Sequence, residues 1–358
     1  MLSAIGDAVQ VLPVASALRR AFPHLHLSWV LQRVPLSLVQ GHPAVDEFIP
    51  FHRGDRSRPW RSVVGGWRGI RSAVQRLREI AARQPGGRFD LLLDLQVYLK
   101  AGLITAFTPA RVKLGFDSGR TRDLNRLFTT HRIPPHPQGA GHIQEQYFEF
   151  LDFIGVDPEP VEFGLDLSEA ERESQQVFRS DIGRPYCAMV VASSDVRKNW
   201  TPEGYARVAA EVGNSFGLRP ILVGGHSDLE EGMARAILNR SGSIVVDARG
   251  GGLRRLLWLL DGAALVISPD TGPLHMARAM ETPVVGLFGF TNPKRSGPYQ
   301  RFSELVVDGY ARYPGEVYSV SRERRSGGMG RITPAMVLER VERALTRSEP
   351  ESLGGTEG

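Results

Sequence analysis

The chain has almost no cysteine, very little lysine and no long apolar run. Cys187 is the single cysteine among 358 residues, which excludes an internal disulfide framework and any multi-cysteine metal centre. No stretch approaches the roughly 20 apolar residues that a membrane-spanning helix needs. The opening MLSAIGDAVQVLPVASALRR lacks the charged start and small-residue cleavage site of a secretion signal, so a cytoplasmic location is expected. Also absent are the Rossmann dinucleotide fingerprint after a strand, the Walker A sequence, a nucleophile elbow and any metal-ligand spacing of His, Asp and Glu. What remains is an ordinary globular composition, 42% hydrophobic and 23% charged with 39 Gly and 24 Pro. The length suits two domains, each with its own core.

The net charge of +5 is unevenly spread. Residues 1–140 hold 20 Lys/Arg against 9 Asp/Glu, a balance of +11, while the remainder holds 24 against 30, a balance of −6. A basic half joined to an acidic half suggests two tasks, the basic one facing something anionic. Of the 44 basic residues 40 are Arg and 4 are Lys, a bias that genome composition alone can produce. Ten of these arginines fall between His52 and Arg88, interleaved with Trp60, Trp67, Ile70, Val74, Leu77 and Ile80. Spacings of three, four and seven predict an amphipathic helix with a basic face.

Short apolar runs alternate with helical patterns along the chain. His26–Leu31, Phe89–Leu95 and Arg111–Gly115 read as strands in the first half, with helices around 8–21, 63–82 and 142–154. In the second half Tyr186–Ala192, Pro220–Gly224, Ser243–Val246, Ala264–Ser268 and Pro283–Phe288 read as strands, with helices at 202–216, 227–240, 252–261 and 271–281. This alternation predicts an α/β chain with two doubly wound, Rossmann-like parallel-sheet domains. The expected limits are 1–155 for the first domain, 156–184 for a Pro- and charge-rich linker and 185–347 for the second. A final helix opening at Thr333-Pro334 is free to pack back on the first domain, and 348–358 reads as a disordered tail. Ser3-Ala4-Ile5-Gly6-Asp7 reads as a strand-to-helix turn with only two residues before it. A doubly wound domain ordinarily begins with a central strand; here that first strand is missing, and an upstream start is expected.

The strongest local motif is Ser268-Pro269-Asp270-Thr271-Gly272-Pro273-Leu274-His275, between a strand and an Ala-rich helix. Asp270 or Thr271 can cap the helix, and its first-turn N–H groups make an anion site to which His275 adds a hydrogen bond or charge. A plain N-cap with an incidental histidine explains the same residues. The loop Ala192–Trp200 leaves another strand and offers the hydroxyls of Ser193 and Ser194 with Lys198 as a point charge for phosphate. A polar loop leading to the helix at Thr201-Pro202 is the plainer account. Gly224-Gly225-His226-Ser227 ends the next strand. Gly250-Gly251-Gly252 could approach a phosphate or serve only as a helix entry.

Together Ser268–Tyr299 (SPDTGPLHMARAMETPVVGLFGFTNPKRSGPY), Ser3–Arg20 (SAIGDAVQVLPVASALRR) and Asp94-Leu95-Gln96…Lys100 resemble the ADP-heptose:lipopolysaccharide heptosyltransferases of glycosyltransferase family 9. The resemblance implies the GT-B fold, with two domains facing a cleft that closes for reaction. It implies inverting transfer of heptose from ADP-heptose to a Kdo or heptose of the lipopolysaccharide inner core, with Asp7 as base. Asp270, Thr271, Gly272 and His275 would hold the diphosphate, and Ser193, Ser194 and Lys198 the sugar-nucleotide. Gly251 would lie near the adenine. His226 stands where relatives often carry a ribose-binding glutamate, and the serine pair where threonines are common. By local chemistry alone a helix cap is the favoured account of Asp7, since Gly6-Asp7 precedes a helical run; the resemblance reverses that preference.

No cofactor or metal is expected, since a helix N-terminus and Lys198 can neutralise the leaving group. The implied acceptor is an anionic glycolipid, so the arginine-rich stretch acquires a purpose in holding it and pressing the enzyme to the cytoplasmic face of the inner membrane. Lys100, Arg120 and Arg122 are further acceptor candidates. The two serine and histidine departures favour an alternative, a GT-B glycosyltransferase with another sugar-nucleotide and another cell-surface glycan. Nucleic acid is not an expected partner, because no recognition motif or aromatic platform accompanies the basic stretch.

Overall fold

The computed structural model describes residues 1–52, 59–135 and 141–346, with the backbone alone over 59–64. Two compact units divide at Leu165/Asp166. The tail expected at 348–358 and the arginines at 53, 56 and 58 lie outside the described residues.

The first unit runs α1 (Ile5–Ala21), β1 (Ser28–Gln32), α2 (Arg33–Val39), β2 (Glu47–Phe51), α3 (Pro59–Ala81), β3 (Phe89–Asp94), α4 (Leu99–Phe107), β4 (Ala110–Gly115), β5 (His131–Arg132) and α5 (Ile143–Phe153). Its strands form two separate parallel sheets, β1-β2 and β3-β4-β5. The sequence reading lacks β2 because Pro50 interrupts its apolar run. Pro is tolerated on an edge strand, and β2 pairs on one side only, with Pro50 opposite Leu31. The amphipathic helix expected from the arginine spacing is α3. Ile70, Ala73, Val74, Leu77 and Ile80 are buried in a core with Ile49, Phe51 and Ile104, while Trp67, Arg68, Arg71 and Arg78 face solvent. In α4, a Cβ on Gly102 would meet the Phe128 ring at 2.6 Å, so glycine permits the close approach of that turn.

The second unit runs α6 (Glu169–Ile182), β6 (Tyr186–Val190), α7 (Pro202–Asn214), β7 (Arg219–Val223), α8 (Asp228–Ser241), β8 (Val246–Asp247), α9 (Gly252–Asp261), β9 (Leu265–Pro269), α10 (Gly272–Ala279), β10 (Val284–Phe288), α11 (Pro293–Ser296), β11 (Val307–Asp308) and α12 (Pro334–Thr346). One six-stranded parallel sheet has the order β8-β7-β6-β9-β10-β11, a doubly wound arrangement whose order reverses between β6 and β9. Every residue of β6, β9 and β10 is buried, which explains why they read as unbroken apolar runs rather than alternating ones. Cys187 lies in β6 with no exposed surface, and burial raises its thiol well above the ordinary range.

The stretch 156–184 is not a free linker. Residues 156–165 belong to the first unit and 166–184 to the second. Within it Ser168 and Glu171 form a capping box, each side chain bonding the other's backbone N–H, and Gly183 ends α6 with φ +71°. Arg254 and Gln175 tie this helix to α9: the guanidinium reaches Glu171 at 2.7 Å and the Gln175 amide donates to Trp258 O at 2.7 Å. The Arg254 hydrogen bond holds the Glu171 carboxyl at about 2. The final helix, α12, is built into the second unit's own core through Val337 and Val341. The strand expected at 243–246 shrinks to Val246–Asp247, because Gly242–Ile244 turns as a short 3-10 segment.

Candidate active site

The switch point between β6 and β9 is where an open α/β sheet binds ligands, and two of the predicted motifs leave the sheet there. The loop after β6 brings Lys198 to Asp270 after β9. The ammonium lies 2.8 Å from Asp270 Oδ2 and 3.1 Å from its carbonyl. Thr291 Oγ1 donates to the same carboxylate oxygen at 2.6 Å, and Ser296 Oγ at 3.4 Å. Burial pushes the Asp270 carboxyl up, but Lys198, His275 and these hydrogen bonds outweigh it and hold the group below the usual carboxylate range. Lys198 is thus held and oriented by a buried carboxylate.

Thr271 is the N-cap of α10 in backbone terms, but its side chain makes no capping hydrogen bond. Thr271 and Gly272 are partly exposed at the helix start, where the first N–H groups of any helix lack intrahelical partners. His275 sits one turn in and is buried. Burial lowers its imidazole to about 4, against the pull of Asp270 and with a further push from Lys198. Of the two contributions expected from His275, hydrogen bond or charge, the neutral ring at pH 7 supplies the hydrogen bond.

This depressed value has a stability consequence. The unfolded ring titrates near 6.5 and the folded ring near 4, so the folded state binds fewer protons between those values. The contribution is fully present above pH 6.5 and is lost as pH falls toward 4, by about 3 kcal/mol in all. His275→Gln removes it. Melting curves of the two proteins between pH 7.5 and 4 should converge on acidification, and parallel curves would refute the assignment.

The loop after β6 is closed by its own side chains. Asn199 Oδ1 accepts from Ser193 N–H at 2.6 Å, Asn199 Nδ2 donates to Ser193 O at 3.1 Å, and Ser193 Oγ accepts from Asp195 N–H at 3.4 Å. Ser193 is therefore buried as part of the turn, whereas Ser194 is exposed. Arg197 forks onto Asp195 at 2.8 and 2.7 Å, and its guanidinium lies 4.5 Å from the Phe290 ring centroid, with Arg324 at 5.8 Å.

The next two strand ends come together as well. Gly250 N–H donates to Gly224 O at 2.9 Å, and His226 lies against Gly250, where a side chain would collide with its Nε2. His226 Nδ1 is 2.6 Å from Glu231 Oε1, and Arg249 bonds Asp247 and Glu231. Hydrogen bonds from His226 and Arg249 hold Glu231 below its ordinary value. Gly251 is the N-cap of α9 with φ +75°. Gly250, Gly251 and Gly252 all have positive φ, a run that only glycine adopts without strain.

Asp7 belongs to the first unit. It lies in the first turn of α1, and Ala4 N–H donates to its Oδ2 at 3.0 Å, so it is a third-position capping carboxylate rather than the N-cap itself. Among the acceptor candidates Lys100 and Arg122 are exposed. Arg120 is taken up within its own unit, by Asp117, by Glu149 at 2.6 Å and by Pro134 O at 2.9 Å. Asp94, from the third quoted stretch, is buried and accepts from Thr105 at 3.0 Å and Asn125 at 2.9 Å. Burial raises its carboxyl above the usual range.

Thr291, Ser296, Glu231 and Arg249 were not singled out from the sequence. Thr291-Asn292-Pro293 reads as a helix start, and Asn292 does cap α11 at 3.0 Å. Nothing in that signal says that the neighbouring hydroxyl reaches Asp270.

The sequence model of "Glycosyltransferase family 9 (heptosyltransferase)" matches residues 78–319. Over 306 residues the chain is 27% identical to a lipopolysaccharide core heptosyltransferase, OpsX, of Haemophilus influenzae, covering 85% of this chain and 82% of that one. It is 28% identical over 303 residues to lipopolysaccharide heptosyltransferase 1 of Pseudomonas aeruginosa, covering 84% and 80%. Among solved structures, a family 9 glycosyltransferase from Veillonella parvula superposes with a TM-score of 0.78 at 22% identity, covering 97% of this chain and 96% of that one. The E. coli heptosyltransferase WaaC with ADP gives 0.69 at 22%, covering 96% and 98%. The fold is GT-B. With a family model spanning two thirds of its length, the chain belongs to glycosyltransferase family 9, the heptosyltransferases, and is a glycosyl-transferring enzyme.

Proposed function

We propose that this protein transfers a heptose from ADP-heptose to the lipopolysaccharide inner core, with inversion at the anomeric carbon. The observation that carries the reading is Lys198 held on buried Asp270 at the start of α10. An ammonium and a helix N-terminus together stabilise the diphosphate as negative charge grows on it. The acceptor hydroxyl oxygen bonds to the anomeric carbon while the bond from that carbon to the β-phosphate oxygen breaks. The hydroxyl proton passes to Asp7, and ADP leaves. Thr271, Gly272, Ser194 and neutral His275 donate to phosphate or sugar oxygens, and Ser193 shapes their loop. The leaving group is neutralised by these groups, so no metal ion is called for. Relatives named as lipopolysaccharide heptosyltransferases, and an E. coli heptosyltransferase structure with ADP-2-deoxy-2-fluoro heptose, support the donor and acceptor.

The acceptor is anionic and membrane-borne, and we place the enzyme on the cytoplasmic face of the inner membrane as a peripheral protein. No helix among the described residues is long and apolar enough to cross a membrane. Support comes from the exposed Arg68, Arg71, Arg78 and Trp67 on α3, and from the exposed Lys100 and Arg122 of the same unit.

His226 favours a second reading, a different sugar-nucleotide. In this protein the carboxylate at that loop comes from Glu231, which bridges His226 and Arg249. Thermal-shift titration with ADP, UDP and GDP tests the choice. ADP is expected to raise Tm most, by about 2–4 °C per kcal/mol of linked binding, and a larger shift with UDP or GDP would overturn the donor assignment.

A further inference from the structure

Residues 309–327 join β11 to a short 3-10 turn at Gly328–Arg331 without forming a helix or a strand of their own. Loops longer than about 12–15 residues are uncommon inside a compact unit, and an ordered one generally has a task. This loop carries a small core. Tyr310 is fully buried and packs edge-on against Tyr318, with ring centroids 5.0 Å apart. The Arg325 guanidinium lies 4.2 Å from the Tyr310 centroid and 5.4 Å from that of Tyr318. It also forks onto Glu316 at 2.9 and 3.1 Å, with only 10% and 11% of the two side chains exposed. The Tyr318 hydroxyl donates to Asp308 at the end of β11, which ties the loop to the sheet.

What the loop grips is the segment leaving β10. Arg325 N–H donates to Phe290 O at 3.0 Å, and Thr291 pairs with Arg324 in an isolated antiparallel bridge. Asn292 Nδ2 donates to Ser319 O at 2.8 Å. The Lys294 ammonium donates to Tyr318 O at 2.8 Å and lies 4.6 Å from the centroid of the same tyrosine. Where the loop ends, the backbones touch: a Cβ on Gly328 would collide with Gly289 O. The gripped segment in turn reaches both members of the buried pair. Thr291 Oγ1 donates to Asp270 Oδ2 at 2.6 Å, the same oxygen that faces the Lys198 ammonium at 2.8 Å. The Phe290 ring centroid lies 4.5 Å from the guanidinium of Arg197, the residue before Lys198.

We propose that residues 309–327 form a positioning strap for the Lys198–Asp270 pair, and that the strap acts through Thr291, whose hydroxyl holds Asp270 Oδ2 toward the ammonium. Without that bond the carboxylate can turn about its Cβ–Cγ axis, and Lys198 loses its fixed direction. The same bond favours the ionised carboxylate, in company with Lys198 from the loop after β6, His275 of α10 and the Ser296 hydroxyl of α11. The consequence for transfer rests on the function proposed above; the effect on Asp270 does not.

The test uses the full chain. Thr291→Val removes the hydroxyl and should lower kcat about 10-fold while donor KM changes less than about 2-fold, because charge on the leaving group grows only in the transition state. Thr291→Ser should restore most of the rate. Arg325→Met loosens the strap and should lower kcat in the same way, with no further loss when it is combined with Thr291→Val. Additive losses would overturn the route through Thr291. Arg325→Met leaves Glu316 without its partner, so Lys294→Met, which weakens the same grip without unpairing a carboxylate, serves as a second strap variant with a smaller drop of the same kind. A donor-independent reading comes from the Asp270 carboxyl carbon, followed by NMR in aspartate-labelled protein and assigned with Asp270→Asn. It should titrate about one pH unit higher in Thr291→Val and move in the same direction in Arg325→Met. Unchanged kcat in Thr291→Val, or an Asp270 titration unmoved in both variants, overturns the proposal. Absence of transfer from ADP-heptose by the unsubstituted protein counts against the function proposed above, and the carboxyl titration then judges the strap by itself.

Discussion

Asp7→Asn is expected to lower the transfer rate by about 10²–10⁴, the range that general-base catalysis contributes, while donor affinity stays unchanged. The substitution isolates the chemistry. Asn keeps a side-chain oxygen that can accept from Ala4 N–H, the 3.0 Å bond that Asp7 now makes, so the start of α1 is retained. What is lost is the basic carboxylate and its favourable charge at a helix N-terminus, worth about 0.3–1 kcal/mol of stability. Single-turnover transfer followed by mass spectrometry, beside ADP binding by calorimetry, separates the two effects. Near-normal transfer would show that Asp7 is a capping residue only.

The second large effect is expected at Lys198. In Lys198→Ala the Asp270 carboxylate keeps Thr291 and Ser296 but loses its countercharge. Removing one partner of a buried pair costs about 3–5 kcal/mol, because the remaining charge is left uncompensated. Stability should therefore fall at pH 7 and partly recover on acidification, because without Lys198 burial pushes the Asp270 carboxyl up and favours its protonated form; adding Asp270→Asn should restore much of the loss. Transfer by the single variant should drop about 10²–10³, the usual cost of one leaving-group or oxyanion contact. A Lys198→Ala protein with unchanged melting and turnover would remove the pair from both roles.

These two residues differ in how far the sequence exposed them. The β9–α10 block was readable because an unbroken buried strand, Pro269 and a Gly-Pro helix start fall within nine residues. The loop at Ser193–Asn199 was readable for the same reason, following buried β6. Their pairing was not, since Lys198 and Asp270 are 72 residues apart and meet only through the order of strands in the sheet. Thr291 reaches Asp270 from beyond β10 under the same limitation. Charge composition misleads locally too. Glu169–Ile182 looked like linker because its surface is polar, although Ser168 and Glu171 carry a helix-start signature. Arg120 looked available for an anionic acceptor, yet Asp117 and Glu149 engage it, and a count of arginines carries no information about partners. Arginines 68, 71 and 78, opposite a face of Ile70, Val74 and Leu77, were correctly placed because helical periodicity depends on the local chain alone.

The position of Cys187 gives the chain an internal clock. Its thiol lies at the centre of the second unit's sheet, between β7 and β9, with no exposed surface. A thiol-specific reagent reaches it only when that sheet comes apart, so the labelling rate reports the opening of the second unit alone. The first unit contains no cysteine to add to the signal. Mutational damage on either side of the Leu165/Asp166 division can thus be assigned to one unit or the other with no engineered label.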